Sequence, residues 1–229
     1  MPRFTVLTAT DHKRIQEFHS KLAPMLFKVL VPGGHIILSS QNLLSHLVVR
    51  EFVQAGFEMR GQIARVVKTL RGGDRPKGAH TTFTDVSVTP RSSWEPWLIF
   101  RKPCDGVVRE NLKRWWTGAL RRQSPERPFN DLIYSSPARG VERKISSHPS
   151  MKPQAFVRQV VWAALPLGKG ILLDPFMGAG STIAAAKNLG LESIGLELDE
   201  EYFQMARMAI PKLADLKLTQ NNGSEVRQV

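Results

Sequence analysis

The stretch ILLDPFMGAGST, residues 171–182, organises the interpretation of the whole chain. Its first three residues are apolar and predict a buried β-strand, which ends in the acid Asp174. Gly178 and Gly180 then allow the backbone to approach a ligand without interference from a Cβ atom. Ser181 and Thr182 follow, and we expect them to cap a helix. A strand, an acid, a glycine turn and a helix in this order predict a cofactor-binding loop.

A second acid follows at a spacing that suits a nucleoside. The helix is predicted to end at Gly190, and a strand over residues 193–198 then carries Glu197 near its end. This carboxylate lies 17 positions after Gly180, where it can accept hydrogen bonds from both hydroxyls of a ribose. A dinucleotide site would have a third glycine at position 183, which is Ile183 here. Recognition of a pyrophosphate is therefore disfavoured.

The charge of the loop favours a cationic cofactor. Asp174 places an anion where NAD would need close approach to its phosphates. S-adenosylmethionine carries an ammonium group, a ribose diol and an apolar adenine, and it has no phosphate. The residues of the loop therefore fit S-adenosylmethionine better than NAD. The alternative to a ligand site is a tight strand-to-helix turn that binds nothing.

Three ordered motifs resemble the cofactor half of the amino-group DNA methyltransferases. They are HPSMKP at residues 148–153, DPFMGAGST at 174–182 and GLELDEEYFQMA at 195–206. The resemblance implies an α/β fold, the Rossmann-like S-adenosylmethionine-dependent methyltransferase fold with a mostly parallel sheet. It also implies that the first motif is a turn, leading into a helix over residues 154–165.

The same resemblance names the residues that would bind S-adenosylmethionine. Glu197 would hold the ribose. Tyr202 and Phe203 are expected to pack the next helix on the sheet, so they are not assigned to the site. The first motif contributes His148, Lys152 and Pro153, and the methionine end would be lined by Asp174, Phe176, Gly178, Gly180, Ser181 and Thr182.

The order of segments matches the permuted group of these enzymes, in which the catalytic strand comes first and the cofactor loop last. A helix is predicted over residues 11–30, and its apolar stripe, which includes Phe18 and Val29, should face the core. A Pro-Gly-Gly turn and a strand over residues 35–40 follow. We expect a single methyltransferase domain over residues 1–218, with a basic target-recognition region at 60–147, the cofactor-binding half at 148–209 and a disordered tail at 219–229.

The catalytic tetrapeptide of the family is absent. It consists of Asp, Asn or Ser, then two prolines, then an aromatic residue, and no two consecutive prolines occur in the 229 residues. Neither SPAR at residues 136–139 nor RPFN at residues 127–130 replaces it, so we assign no catalytic residue. We expect that an amino-terminal portion with one or more strands is missing. A complementing amino-terminal chain or a homodimer would then supply it.

Positive charge is concentrated outside the cofactor half. The formal net charge is +12, and residues 171–229 contribute −3 with 5 basic and 8 acidic side chains. Lys and Arg displace counterions from DNA, so double-stranded DNA is the predicted partner. The alternative is a solvated basic face with tryptophans in the core. The predicted DNA-binding residues are Arg71, Arg75, Lys77, Lys113, Arg114, Arg121 and Arg122.

Several other classes of protein are disfavoured. Cys104 is the single cysteine, which excludes an internal disulfide, and the six histidines have no spacing that suggests a metal site. Residues 29–49 carry no formal charge, but proline, glycine, asparagine and histidine interrupt them. A membrane span is therefore not expected, and the cytoplasm is the predicted location.

The favoured function is site-specific methylation of the exocyclic amino group of adenine or cytosine in DNA, as in a restriction-modification or phage system. One alternative is a catalytically inactive DNA-binding remnant, and another is a subunit of a two-chain methyltransferase. An NAD-dependent enzyme is disfavoured by Ile183 and Asp174.

Overall fold

The structure, a computed structural model, describes residues 8–67, 81–87, 90 and 92–218. Three of the predicted DNA-binding residues, Arg71, Arg75 and Lys77, and the predicted disordered tail lie outside the described residues. In chain order the elements are α1 (Ala9–Val29), β1 (His35–Ser39), α2 (Ser45–Gln54), β2 (Glu58–Val67), β3 (Trp94–Arg101), α3 (Val108–Trp115), β4 (Leu132–Ser135), α4 (Val141–Ile145), α5 (Gln154–Ala164), β5 (Ile171–Asp174), α6 (Ser181–Asn188), β6 (Glu192–Gly195) and α7 (Glu200–Ala214).

The strands form two sheets. The first has the order β1-β3-β2-β4, and the second consists of β5 and β6 paired in parallel. In the first sheet β3 is antiparallel to both neighbours, while β4 is parallel to β2. The predicted α/β fold is confirmed, but the pairing is mixed rather than mostly parallel. The pairing is mixed because β3 lies between β1 and β2 and runs antiparallel to both, while β1 and β2 run in the same direction.

The helix α1 begins at a capping box. The Thr8 hydroxyl accepts a hydrogen bond from the Asp11 N–H at 3.2 Å, and the Asp11 carboxylate accepts one from the Thr8 N–H at 2.9 Å. The helix packs against α2 through the fully buried Ala23. The prediction that Phe18 and Val29 face the core is wrong, because both are exposed. The apolar stripe is wider than the contact with α2, so one side of it remains uncovered.

The main core lies between α5, α6 and the first sheet. Phe156 and Val160 of α5 pack against Ile63 and Ile133, and the alanines of α6 close the cluster. The half-buried Ile37 of β1 and Leu172 of β5 contact the same cluster. The helix α5 therefore holds the two sheets together from one side and positions the loop after β5.

The Pro-Gly-Gly turn predicted after α1 anchors α3. The fully buried side chain of Asn111 occupies the space that a Cβ atom at Gly33 would need. Its amide donates hydrogen bonds to the carbonyls of Thr117 at 2.8 Å and Pro32 at 3.1 Å. The orientation of α3, which carries Lys113 and Arg114, is thus set by a buried hydrogen-bond network.

The described helices include none with the combination of length and hydrophobicity that crossing a bilayer requires.

His35 gives the folded state a pH dependence. Burial lowers the pKa of His35 from 6.5 to about 4, and the positive charge of Arg101 adds to the effect. Because the folded-state pKa lies below the unfolded value, this stability is present above about pH 6.5 and is lost as the pH falls towards 4. Urea unfolding should give a free energy about 2 kcal/mol lower at pH 5 than at pH 7 from this group. In His35→Gln the difference in unfolding free energy between pH 5 and pH 7 should shrink by that amount. An unchanged pH dependence would contradict the attribution of this difference to His35.

Candidate functional site

The loop after β5 has the glycine turn that its sequence predicts. Asp174 ends the strand, and its Oδ1 accepts a hydrogen bond from the N–H of Phe176 at 3.1 Å. Gly178 and Gly180 adopt φ angles of 51° and 75°, in the left-handed region that favours glycine. The Gly180 N–H donates to the Met177 carbonyl at 2.8 Å and closes the turn. The backbone of this loop therefore requires glycine at both positions.

Glu197 is joined to the same loop. Its Oε2 accepts a hydrogen bond from the Gly178 N–H at 2.9 Å, and its Oε1 accepts one from the Asp199 N–H at 3.0 Å. The sequence predicted that Glu197 lies within the strand. β6 ends at Gly195, however, so Glu197 lies beyond it. Each carboxylate oxygen has two lone pairs, so Glu197 retains acceptor capacity for two hydroxyl groups. The structure thus brings the two acids to one edge of the β5–β6 sheet.

His148 covers the glycine turn. A Cβ atom at Gly178 would lie 3.1 Å from the imidazole, so a larger residue there would need the ring to move by a few tenths of an ångström. The ring packs edge-on against Tyr202, with centroids 4.4 Å apart. Burial lowers the pKa of His148, opposed by the negative charge of Glu197. Sequence reasoning left Tyr202 out of the site, although it lies within the third motif, and its contact partner is visible only in three dimensions.

Gly180 has a different neighbour. A Cβ atom there would lie 2.5 Å from Cγ1 of Ile210 on α7. The close approach permitted by Gly180 is therefore to a helix of the protein itself. Gly180 allows α7 to pack against the start of α6.

The helix α6 does not begin with a side-chain cap. Gly180 is the N-cap, and neither Ser181 nor Thr182 caps the helix, so the capping prediction is wrong. Both residues already lie inside the first turn, because the left-handed Gly180 starts the helix directly. Among the described residues the buried Ser181 hydroxyl has no hydrogen-bond partner. Gln154, fully buried at the start of α5, donates to the Ser181 carbonyl at 2.9 Å and was not identified from sequence.

Lys152 and Pro153 lie at the start of α5. Pro153 is the N-cap of the helix, as a turn leading into it requires. The Lys152 Nζ lies 3.6 Å from Oε2 of Glu95 on β3, so its contact is with the first sheet. Burial tends to raise the pKa of Glu95, but the hydrogen bond from Arg65 and the charge of Lys152 outweigh it and hold the pKa below its usual value.

Glu95 is the centre of a network that the sequence did not reveal. Arg65, only 4% exposed, donates to Glu95 Oε1 at 2.7 Å and to the Ser136 carbonyl at 3.0 Å. Trp97 donates to the same Glu95 oxygen at 2.9 Å. This network joins β2, β3 and the segment after β4 to the turn that carries Lys152.

Phe176 extends from the loop into solvent. Its ring lies 5.9 Å from the ring of Phe18 on α1, and both side chains are at least half exposed. The amino-terminal half of α1 therefore reaches the candidate site, and the two rings form an apolar surface beside it.

The described members of the predicted DNA-binding set lie on or after α3. Lys113 and Arg114 are exposed and form ion pairs with Glu110 at 3.1 Å and Asp105 at 2.8 Å. Arg122 is also exposed. Arg121 stacks on Trp162, with its guanidinium carbon 3.3 Å from the ring centroid. These four side chains remain candidates for contact with DNA.

The tryptophans of the basic region divide between surface and core. Trp97 packs against Phe156, with ring centroids 4.9 Å apart, so it belongs to the core. Trp116 is exposed, and it ends α3 with a left-handed φ of 60°. The alternative of core tryptophans therefore holds for Trp97 and does not hold for Trp116.

Comparisons with known proteins agree on the family. A family model described as DNA methylase, the N6/N4 methyltransferase family, matches residues 8–208. The type II methyltransferase M2.DpnII of Streptococcus pneumoniae is 26% identical over 197 residues, which cover 83% of this chain and 65% of the relative. The chain thus spans less than two thirds of the length of that relative.

Solved structures of methyltransferases have the same fold. TTHA0409 of Thermus thermophilus, complexed with S-adenosyl-L-methionine, has a TM-score of 0.63 at 18% identity, covering 94% of this chain and 84% of that protein. The cytosine-N4-specific PvuII DNA methyltransferase has a TM-score of 0.61 at 13% identity, covering 96% and 78%. The methyltransferase fold predicted from the sequence is confirmed. Since the family model covers most of the chain, this protein belongs to the N6/N4 DNA methylase family.

Proposed function

We propose that this chain binds S-adenosylmethionine and serves the transfer of its methyl group to the exocyclic amino group of adenine or cytosine in DNA. The observation that carries the proposal is the convergence of Asp174 and Glu197 on the Gly178 turn, beneath His148. A site with two carboxylates suits a cofactor that carries an ammonium group and a ribose diol. Membership of the DNA methylase family supports the same conclusion.

The residues present fit this cofactor. Two backbone N–H groups orient the Glu197 carboxylate, one at each oxygen. Each oxygen keeps a second lone pair, which can accept a hydrogen bond from a ribose hydroxyl. Only Oδ1 of Asp174 is bound within the described residues, which leaves Oδ2 for an ammonium group. The bound cofactor supplies an electrophilic methyl group. The role of the chain is to hold the methionine end at Asp174 and the ribose at Glu197.

Within the part of the chain that the structure describes, we assign no residue that would receive the amino hydrogens of the target base. Ser136, the nearest imitation of a family acceptor, uses its carbonyl to bind Arg65, and Ala138 two residues later is buried in the core. We infer that a complementing chain, or a second copy, supplies the acceptor. The second candidate, favoured by the same observation, is a DNA-binding remnant without catalytic activity.

The two candidates differ in a direct experiment. Calorimetry should detect binding of S-adenosylmethionine and no binding of NAD, and heat with NAD alone would contradict the cofactor assignment. Transfer of labelled methyl groups to duplex DNA should be absent with this chain alone and should appear when a complementing chain is coexpressed. Robust methyl transfer by the chain alone would contradict the inference that another chain supplies the acceptor. No gain in methyl transfer on coexpression would favour the DNA-binding remnant.

We further infer that residues 60–147 face DNA and that residues 148–209 bind the cofactor. The excess of basic side chains in the first region supports this division. Type II methyltransferases among the relatives support a place in a restriction-modification system, and a DNA substrate supports action in the cytoplasm.

The exposed arginines should contribute to DNA affinity through charge. We expect Arg114→Gln and Arg122→Gln each to weaken binding to duplexes of any sequence and to reduce the slope of log K against log salt by about 1. Fluorescence anisotropy over a range of salt concentrations measures both effects. The matched control is Lys187→Gln, an exposed charge on α6 in the cofactor half, which should leave the slope unchanged. Equal slopes for all three variants would contradict the DNA-facing assignment.

A further inference from the structure

A groove lies between the segment after α3 and the loop after α5. Its volume is about 470 Å³, within the range of sites that bind small ligands. Leu112, Pro125 and the exposed Leu167 contribute apolar walls. Two arginines and a tryptophan also line the groove, namely Arg121, Arg122 and Trp162. The groove therefore combines apolar surface with positive charge.

Arg121 is held in one orientation in this groove. Its guanidinium carbon lies 3.3 Å from the centroid of the Trp162 ring. A Cβ atom at Gly168 would lie 3.1 Å from Nη1 of Arg121, so glycine leaves room for the guanidinium. The Arg121 N–H donates to the Ala163 carbonyl at 2.9 Å. Both the backbone and the side chain of Arg121 are thus fixed against the end of α5.

The guanidinium of Arg121 has N–H groups available for an anion. It forms no hydrogen bond or ion pair with any residue that the structure describes. The neighbouring Arg122 is exposed, and its Nε donates to the Ser124 carbonyl at 3.3 Å. A planar guanidinium in a fixed orientation suits a phosphate, which can accept from two of its N–H groups. The groove thus presents two arginines to an oxyanion beside an apolar wall.

A second pair of a cation and an aromatic ring borders the groove. Nζ of Lys169 lies 5.9 Å from the ring centroid of Trp116, and both side chains are exposed. Lys169 directly follows Gly168, which lies beside Arg121, and Trp116 is the C-cap of the helix that carries Leu112. Aromatic rings and cations on one surface are typical of proteins that bind nucleic acid with unpaired bases.

The groove and the candidate cofactor site lie at opposite ends of α5. The helix follows the turn that carries His148 and ends beside Arg121. Its 11 residues span about 16 Å, at 1.5 Å per residue. Residues 165–170 then lead into the start of β5, and Asp174 lies at the other end of that strand. A nucleotide in the groove is therefore not the one that receives the methyl group.

We propose that this groove binds an unpaired nucleotide of a nucleic-acid strand, in a segment separate from the one that carries the target base. Arg121 and Arg122 bind its phosphate. The base lies against Leu167 and the Arg121 guanidinium, since bases stack on guanidinium planes as well as on aromatic rings. Duplex DNA fits the apolar wall less well, because its bases are stacked inside the helix.

The choice of a nucleic acid rests on the proposed function and on charge complementarity. Lys169 adds a third positive charge at the margin of the groove. The acid on the same segment, Glu126, accepts a hydrogen bond from the Ser124 hydroxyl at 2.9 Å and is not part of the lining. The surface therefore attracts a polyanion, and a nucleic-acid strand supplies both phosphates and flat apolar bases.

Oligothymidine of about 12 nucleotides is the first probe. Thymine has no exocyclic amino group, so its binding does not depend on the methylation site. Fluorescence anisotropy should show that Arg121→Gln binds it about tenfold more weakly, because a hydrogen bond to a charged group is lost. Arg121→Lys should weaken binding at least fivefold, since lysine retains the charge but not the planar fork. Absence of oligothymidine binding by the wild-type chain overturns the proposal.

The matched control is Arg127→Gln. Arg127 is exposed on the same segment and is not part of the groove lining, so its loss removes the same charge without removing the phosphate contact. Its substitution should change oligothymidine affinity less than threefold. Equal effects of Arg121→Gln and Arg127→Gln overturn the proposal. Urea midpoints confirm folding, and Arg121→Lys decides the result where Arg121→Gln lowers the midpoint.

Two further probes test the base and the class of ligand. An abasic strand of the same length keeps the phosphates, and it should bind at least about fivefold more weakly than oligothymidine. Equal affinity for the two strands overturns the assigned base contact. A peptide of alternating glutamate and leucine tests docking of a protein instead. If it binds more tightly than oligothymidine and loses affinity in Arg121→Gln, the proposal is overturned.

Calorimetry with S-adenosylmethionine on the same samples distinguishes this proposal from the proposed function. Oligothymidine binding that depends on Arg121, in a chain that does not bind S-adenosylmethionine, supports the groove and contradicts the proposed function. Binding of S-adenosylmethionine without binding of oligothymidine does the reverse.

Discussion

Glu197→Gln is expected to weaken binding of S-adenosylmethionine about 100-fold or more. The substitution replaces a carboxylate that can accept from both ribose hydroxyls by an amide with one acceptor oxygen. A hydrogen bond to a charged group contributes about 1.5–3 kcal/mol and one between neutral groups about 1 kcal/mol, so the loss of one interaction and the weakening of the other together correspond to a factor of about 100. Isothermal titration calorimetry with wild-type and variant protein measures it.

The control for this substitution is Glu192→Gln, an exposed carboxylate at the start of β6 that is far from the glycine turn in the strand register. It should leave the dissociation constant within twofold of wild type. The N–H groups of Gly178 and Asp199 also lose charged acceptors in Glu197→Gln, so the melting temperature should be recorded alongside. An unaltered affinity in a folded Glu197→Gln protein would remove the basis of the proposed cofactor site.

Gly180→Ala is expected to lower the free energy of unfolding by about 3 kcal/mol. A left-handed backbone costs a residue with a Cβ atom about 1 kcal/mol. The rest comes from overlap with Ile210, because the added methyl group would lie 2.5 Å from its Cγ1 in a packed interface between α6 and α7. Urea unfolding monitored by circular dichroism gives the value.

The chain provides a matched control for the strain alone. Gly190 has a φ of 68°, close to the 75° of Gly180, and a Cβ atom there would meet nothing within 4 Å. Gly190→Ala should therefore cost only about 1 kcal/mol. In a protein that already carries Ile210→Ala, the Gly180→Ala substitution should no longer cause the overlap. The coupling free energy from the double-mutant cycle then measures the overlap itself. Equal costs for the two glycines would contradict the steric argument.

The pattern of residues 171–197 was sufficient to predict the strand, the glycine turn and the helix that follows, but not the start of that helix at Gly180 or the place of Glu197 beyond β6. A short apolar run predicts a strand, glycine with positive φ predicts the turn, and the spacing of the two acids follows from the length of one helix and one strand. The helix Gln154–Ala164 was likewise predicted to within one residue. Each of these features depends on neighbours in the chain, and the sequence contains that information.

Contacts between distant segments were not predicted. The sequence does not reveal that Lys152 faces Glu95, that Tyr202 supports His148, or that Ile210 fills the space beside Gly180. The apolar stripe of α1 was assigned to the core, whereas Phe18 lies on a surface beside Phe176. Periodicity identifies which residues of a helix are apolar, but not how much of that stripe a partner covers.

The sequence by itself thus determined the glycine loop after β5, the spacing of its two acids and the resemblance to the family to which this chain belongs. Only the tertiary structure decided that, in the part of the chain that the structure describes, the strands form two sheets in which β1 pairs only with β3 and β5 only with β6, and that one face of β5–β6 is exposed. The physical reason is that local residue pattern sets backbone conformation within a segment. Pairing and burial depend on which other segments are present to supply hydrogen bonds and apolar contacts.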